Sequence, residues 1–223
     1  MISANPLQTE ILFHIGRVPI SEGVVTTWAI MLILTLVSWL ITRRANVAGT
    51  GLQAALEIVV ATIADQIRQV VRTDPWPFVP LVGTLFIYIV TANLSGIVPG
   101  VKAPTAHIET PAALALIVFF STFFLGIRSR GIGPFAARYL KPNPLLLPLN
   151  VLSEITRSFS LMIRLFGNMM SHEFIITLIV FLAGLFVPVP FLLLGVLIGI
   201  IQAYIFSVLA TVYIAAAVGD VES

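Results

Sequence analysis

The chain has 223 residues, 58% of them hydrophobic and only 10% charged, with a mean hydropathy of +1.05 and a formal net charge of +2. A water-facing domain needs about 25% charged residues to cover its surface, so the composition excludes a soluble globule and makes lipid the main solvent. With no cysteine there is neither a disulfide framework nor a thiolate metal site, three scattered histidines make no metal cluster, and so small a net charge gives nucleic acid no footing.

Residues 1–22 are mixed and carry Glu10, Arg17 and Glu22, unlike a cleaved signal peptide. Residues 23–42 hold no charge and match the roughly 20 residues a helix needs to cross a ~30 Å hydrocarbon layer; Arg43 and Arg44 close this first span. Residues 51–73 are too polar for a simple span. At 100° per residue, Glu57, Asp65, Arg68 and Arg72 fall within about 80° of one another, with Leu56, Ile63, Ile67 and Val70 opposite. That pattern predicts an amphipathic helix lying on the membrane or against other helices. Asp74-Pro75-Trp76-Pro77 breaks it and supplies an interfacial aromatic. Residues 78–99 form a second uncharged span, 100–109 a short polar loop, and 110–127 a third span closed by Arg128 and Arg130.

Eight of the twelve basic residues lie in segments 43–72 and 128–141. Basic loops stay in the cytoplasm, which puts the N-terminus and the 100–109 loop outside and the C-terminus inside. Residues 145–186 read as one long helix with Pro148 near its start; at 1.5 Å per residue it is about twice as long as the hydrocarbon layer is thick, so it must tilt, curve or break. Val187-Pro188-Val189-Pro190 makes a turn, and residues 191–219 return as an uncharged hairpin partner. The whole predicts an all-α polytopic membrane protein forming a single membrane domain. It has five membrane helices, one amphipathic helix, and the last two helices long and strongly tilted.

The long helix carries Glu154, Arg157, Arg164, His172 and Glu173. A charge at the bilayer centre costs at least ~2.5–3.5 kcal/mol, so such residues are functional by default. Glu154 and Arg157, at i,i+3, also make sense as a local ion pair. Arg164 has no acidic residue at i±3 or i±4. Arg157, Arg164, Asn168 and His172 share a stripe with Glu154 about 80° wide, and Glu173 points roughly 100° from it. A stripe this polar must face water, another helix or a partner's carboxylate. On the returning helix Gln202, Tyr213 and Asp220 share one side, with Gly195 and Gly199 close to it. Tyr213 equally suits an interfacial aromatic, and Gln202 a hydrogen bond that holds the hairpin together.

The run Ser160-Leu161-Met162-Ile163-Arg164-Leu165-Phe166-Gly167-Asn168-Met169-Met170-Ser171-His172-Glu173 resembles the signature of subunit a of F-type ATP synthases. Ile201-Gln202-Ala203-Tyr204-Ile205-Phe206 resembles the family's second signature. Asn93-Leu94-Ser95-Gly96-Ile97-Val98-Pro99-Gly100, and Leu52-Gln53 with Glu57, resemble two earlier helices. The resemblance implies two long tilted helices beside a rotating c-ring, with Arg164 as the essential arginine that strips ions from ring carboxylates and blocks leakage between two half-channels. It implies that Glu173, Asn168 and Gln202 belong to the outer half-channel and the arginine's surroundings; Tyr213, on the same helical side as Gln202, is a further half-channel candidate. The implied partners are c-ring subunits, peripheral stalk subunit b and lipid, with a soluble headpiece coupled indirectly and holding the nucleotide sites. No cofactor and no nucleotide site are expected on this chain.

Several positions depart from the family pattern. Ser171-His172 stands where many relatives have Ala-Gly, and Gly195 where many have His or Glu, so His172 is expected to fill the space that Gly195 leaves. Asn150 replaces an acid, and Glu154 is the expected substitute in the inner half-channel. Ser158 replaces a proline, and His107 stands where many relatives have Asp at the outer mouth. Such differences suggest a divergent branch, of the sodium-linked bacterial kind. A stand-alone transporter would use similar charges but usually shows inverted repeats, and none is present; a non-transporting scaffold would not require Arg164.

Overall fold

In the computed structural model the described residues are 11–15, 18–43, 51–71, 74–98, 101–135, 145, 147–184 and 187–219. They form a polytopic helical protein. Its long elements are α1 (Glu22–Arg43), α2 (Gly51–Val71), α3 (Val79–Ser95), α4 (Glu109–Arg130), α5 (Leu147–Ala183) and α6 (Pro188–Val218). α1, α4, α5 and α6 are long and apolar enough to cross a membrane. α3 is apolar but has 17 residues, giving about 26 Å. It stops at Ser95, where a turn over Gly96–Val98 begins, short of the 78–99 expected from sequence. Ahead of α1 lies a feature the sequence reading missed, an antiparallel pair of short strands, β1 (Ile11–Ile15) and β2 (Val18–Ser21). Arg44, Arg72, Arg138, Lys141 and Asp220, which entered the sequence reading, lie outside the described residues.

Two helix boundaries follow from proline chemistry. α5 contains Pro148 without a break and α6 begins at Pro188, inside the segment expected to be a turn. In a first turn the backbone N–H has no intrahelical acceptor, so a proline there forfeits nothing and its fixed φ suits the helix. α5 ends at Gly184, whose φ of +77° lets its N–H reach Val180 O at 3.2 Å and closes the helix.

The chain folds as two compact units. One comprises Met1–Arg44, Ile87–Pro111 and Arg164–Ala203. Its polar frame is built around buried Asn93, whose Nδ2 donates to Gly199 O at 2.9 Å and whose Oδ1 accepts from Thr105 Oγ1 at 2.7 Å. Tyr88 OH donates to Thr27 Oγ1 at 3.2 Å, and Thr27 Oγ1 lies 3.3 Å from Thr110 Oγ1. Asn93→Leu keeps the branched outline but removes the bond to the Gly199 carbonyl and strands the buried Thr105 hydroxyl. The expected cost is about 2–4 kcal/mol, read as earlier thermal dissociation of the solubilised complex; an unchanged transition would show that these bonds carry no weight.

The other unit comprises Ala45–Phe86, Ala112–Ile163 and Tyr204–Ser223. Here the apolar face of α2 is buried through Ile63, Ala64, Ile67 and Val71, in one cluster with Phe78, Val79, Val82 and Ile214. The opposite face exposes Glu57, Asp65 and Arg68, with Asp65 and Arg68 3.5 Å apart. α2 therefore packs against other helices, one of the two placements its periodicity allowed. Arg130, in the last turn of α4, donates through Nε to Val218 O at 2.6 Å and through Nη2 to Gly219 O. The cation thus satisfies carbonyls at the negative end of α6.

Candidate functional site

α5 presents two different edges. Leu161, Leu165 and Met169, spaced four residues apart, are 1%, 0% and 5% exposed. Their i,i+4 spacing stacks them on one side and pins the backbone that carries Arg164. Arg164 itself is exposed, and among the described residues no carboxylate lies within ion-pair distance of it. One turn further on, Asn168 Nδ2 donates to Oε1 of buried Gln202 at 2.7 Å, joining α5 to α6. Gln202 Nε2 is buried without a hydrogen-bond partner among the described residues. The predicted neighbours Arg164, Asn168 and Gln202 therefore sit within one turn of α5 and its contact with α6.

In the same unit lies a cavity of about 610 Å³ whose lining includes Asn93, Lys102, Met169, His172, Glu173 and Gly195. His172 and Glu173, adjacent and about 100° apart on the helix, both reach it, so the cavity is wider than one helical stripe. The His172 ring occupies the space over Gly195 so closely that a Cβ at residue 195 would overlap it. At the rim the end of β2 and the first residue of α1 meet the start of α4 and the loop before it. Lys102 Nζ lies 3.5 Å from Glu22 Oε2, and Ser21 Oγ donates to Glu109 Oε2 at 2.5 Å. His107 packs its ring against Gly23 and does not line the cavity. Burial, aided by the Lys102 charge, pushes the His107 imidazole below its ordinary pKa; Glu109 and Glu22 pull the other way. His107 is therefore held neutral near pH 7.

The second unit has an open groove of about 480 Å³ lined by Leu149, Leu152, Ser153, Thr156, Arg157, Ser160 and Tyr213. Beside it buried Glu154 pairs with Arg157 at 3.6 Å, and the Arg157 guanidinium lies 5.8 Å from the centre of the Tyr213 ring. The local ion pair read from sequence is present, and it coexists with a place on an open groove. Along α5, Arg164 falls between the residues lining this groove and those lining the cavity. No group of three or more His, Cys, Asp or Glu side chains able to hold a metal occurs among the described residues. Sequence reasoning overlooked Lys102 and Glu22 as a pair and the bridging role of Asn93. A lone lysine in an otherwise uncharged stretch before His107 was the signal available for the first.

The sequence profile of the ATP synthase A chain family matches residues 24–215. The chain is 58% identical over 220 residues to "ATP synthase subunit a 2" of Bradyrhizobium sp. strain BTAi1, covering 99% of each chain. It is 46% identical to "ATP synthase subunit a 2" of Pelobacter propionicus, covering 96% of this chain and 94% of the relative. It is 45% identical to "ATP synthase subunit a 1" of Hahella chejuensis, covering 95% and 90%.

Proposed function

Because the chain belongs to the ATP synthase A chain family, we infer that it is the ion-guiding stator of the synthase membrane sector, with Arg164 the fixed charge past which a rotor carboxylate must move. The observation that carries this reading is an exposed guanidinium on a long apolar helix with no acidic partner among the described residues. A guanidinium stays cationic at any physiological pH, and an opposite charge nearby favours an ionised carboxylate. A loaded rotor carboxylate approaching Arg164 therefore releases its proton or sodium ion, and after passing it must load again.

The cavity at His172 and Glu173 serves as the outer half-channel, and the groove at Ser153, Arg157 and Tyr213, with Glu154 beside it, as the inner one. A carboxylate in water-filled protein is suited to relaying cations. Asn168 and Gln202 hold the surroundings of Arg164, and His107 belongs to the outer rim. The chain is a multi-pass membrane protein. Arg43, Arg68, Arg128 and Arg130 place their ends of the helices on the cytoplasmic side of a bacterial inner membrane; the N-terminus is outside and the C-terminus inside. α5 at 37 residues is about 55 Å long, so it crosses strongly inclined. The partners are the c-ring, stalk subunit b and, through them, the soluble headpiece. Selectivity between the two ions resides in the ring's ligands.

A cross-link tests the geometry. The chain has no cysteine, and a Cβ at Gly167 meets nothing within 4 Å, so Gly167→Cys introduces one thiol beside Arg164 without crowding. Paired with a cysteine placed next to the rotor carboxylate, it forms a disulfide on oxidation that stops ATP-driven pumping, and reduction restores it. An assembled complex that gives no such bond with any residue flanking that carboxylate would refute the placement.

A further inference from the structure

Lys102 has no part in the ion path described above, yet it lines the cavity that holds Glu173. Among the described lining residues it is the one Lys or Arg, and Glu173 is the one carboxylate. A lysine carries a compact ammonium on a flexible four-carbon stem. Inside a cation-conducting cavity such a group competes with the transported ion for the carboxylate. Here the ammonium is engaged by Glu22 at 3.5 Å.

The backbone at both ends of that contact is anchored. Glu22 opens α1 directly after buried Ser21, which is bonded to Glu109. The Lys102 backbone adjoins buried Ala103, and a Cβ on Gly96 would come within 3.1 Å of Ala103 Cβ; Thr105 is bonded to Asn93. The stem can swing, whereas the backbone at its root and at Glu22 is anchored.

We infer that Glu22 is a tether that holds the Lys102 ammonium at the rim and off Glu173, and that this pair sets the ion affinity of the outer cavity. The inference rests on reading that cavity as the outer half-channel. Without Glu22, Lys102 takes Glu173 as its counter-ion and occupies the place of the incoming cation. Glu22 and Lys102 are then positioning residues, acting on the reaction through Glu173.

The test uses the whole synthase reconstituted in proteoliposomes, with ATP synthesis driven by an imposed membrane potential while the outer concentration of the coupling ion is varied. Glu22→Gln raises the half-saturating ion concentration roughly three- to tenfold and leaves the maximal rate essentially unchanged. Lys102→Gln gives a half-saturation no higher than the parent's, and Glu22→Gln/Lys102→Gln matches Lys102→Gln. That non-additivity is the signature of coupling, and a merely structural Glu22 would not produce it. The reversed pair Glu22→Lys/Lys102→Glu is not expected to restore the parent value, because it moves the anion to the cavity side.

An unchanged half-saturation in Glu22→Gln overturns the proposal, as does a double variant as impaired as Glu22→Gln. If Glu22→Gln does not assemble, assembly and parental affinity of the double variant support the tether; failure of both makes Glu22 a folding residue and ends the proposal. Glu173→Gln separates the two levels. If it transports like the parent, the half-channel reading falls. If it is impaired while the double variant is not rescued, only the tether falls.

Discussion

If Arg164 is the fixed charge of the proposed stator, its replacement by alanine is expected to drop ATP-driven ion pumping in inverted membranes to background, while the complex still assembles. The structure separates these outcomes. Arg164 is exposed and makes no ion pair among the described residues, and the packing edge of α5 runs through Leu161, Leu165 and Met169. Removing the guanidinium therefore takes away no core contact. What disappears is the fixed positive charge, and a rotor carboxylate then passes without releasing its ion. ATP hydrolysis by the headpiece continues uncoupled, and the membrane leaks the coupling ion down its gradient because nothing separates the two half-channels. Arg164→Lys recovers only a minor fraction of pumping, since an ammonium is a point charge, loses the planar fork, and surrenders its proton more readily when desolvated. Parental pumping coupled to hydrolysis in Arg164→Ala would leave the stator reading without its central element.

Gly195→Leu is expected to be the most damaging small-to-large change in the cavity at His172 and Glu173. A side chain there overlaps the His172 ring at its first atom. The ring has to leave its place or α5 and α6 must part, and Asn168–Gln202 at 2.7 Å lies in the same pair of helices. Overpacking of this kind costs about 1–3 kcal/mol, seen as a lower melting temperature of the solubilised complex and ATP synthesis at a small fraction of the parental rate. His172→Gly in the same chain makes room and restores most of both. The exchange His172→Gly/Gly195→His returns an imidazole to the cavity from the opposite helix and is expected to keep the parental dependence of transport on pH. A tolerated Gly195→Leu, or one that His172→Gly does not relieve, would mean that residues 172 and 195 do not share this space.

The sequence disclosed these elements unequally. Arg164 stands out in one dimension because an unpaired charge within an apolar run contradicts the composition around it. α2 was legible because its charges repeat at helical spacing, and Ile63 and Ile67 are indeed buried. The Asn168–Gln202 bond was not, since it depends on the relative register of two helices that meet 34 positions apart in sequence. The pairing of Lys102 with Glu22 joins two segments separated by α1, α2 and α3, and short charged loops carry no periodicity to reveal it. The strands β1 and β2 were missed for a related reason: each has only five or four residues, too few for a periodic pattern to stand out from a mixed segment.

α5 continues without a break for 17 residues before Arg164 and 19 after it. The guanidinium thus sits near the middle of a stiff beam rather than at the tip of a flexible loop. On the proposed reading, a rotor passing Arg164 meets a side chain whose helix is held within a turn on either side by buried Leu161, Leu165 and Met169. Slack introduced by a glycine pair in the middle of this helix would cost torque transmission before it cost ion binding.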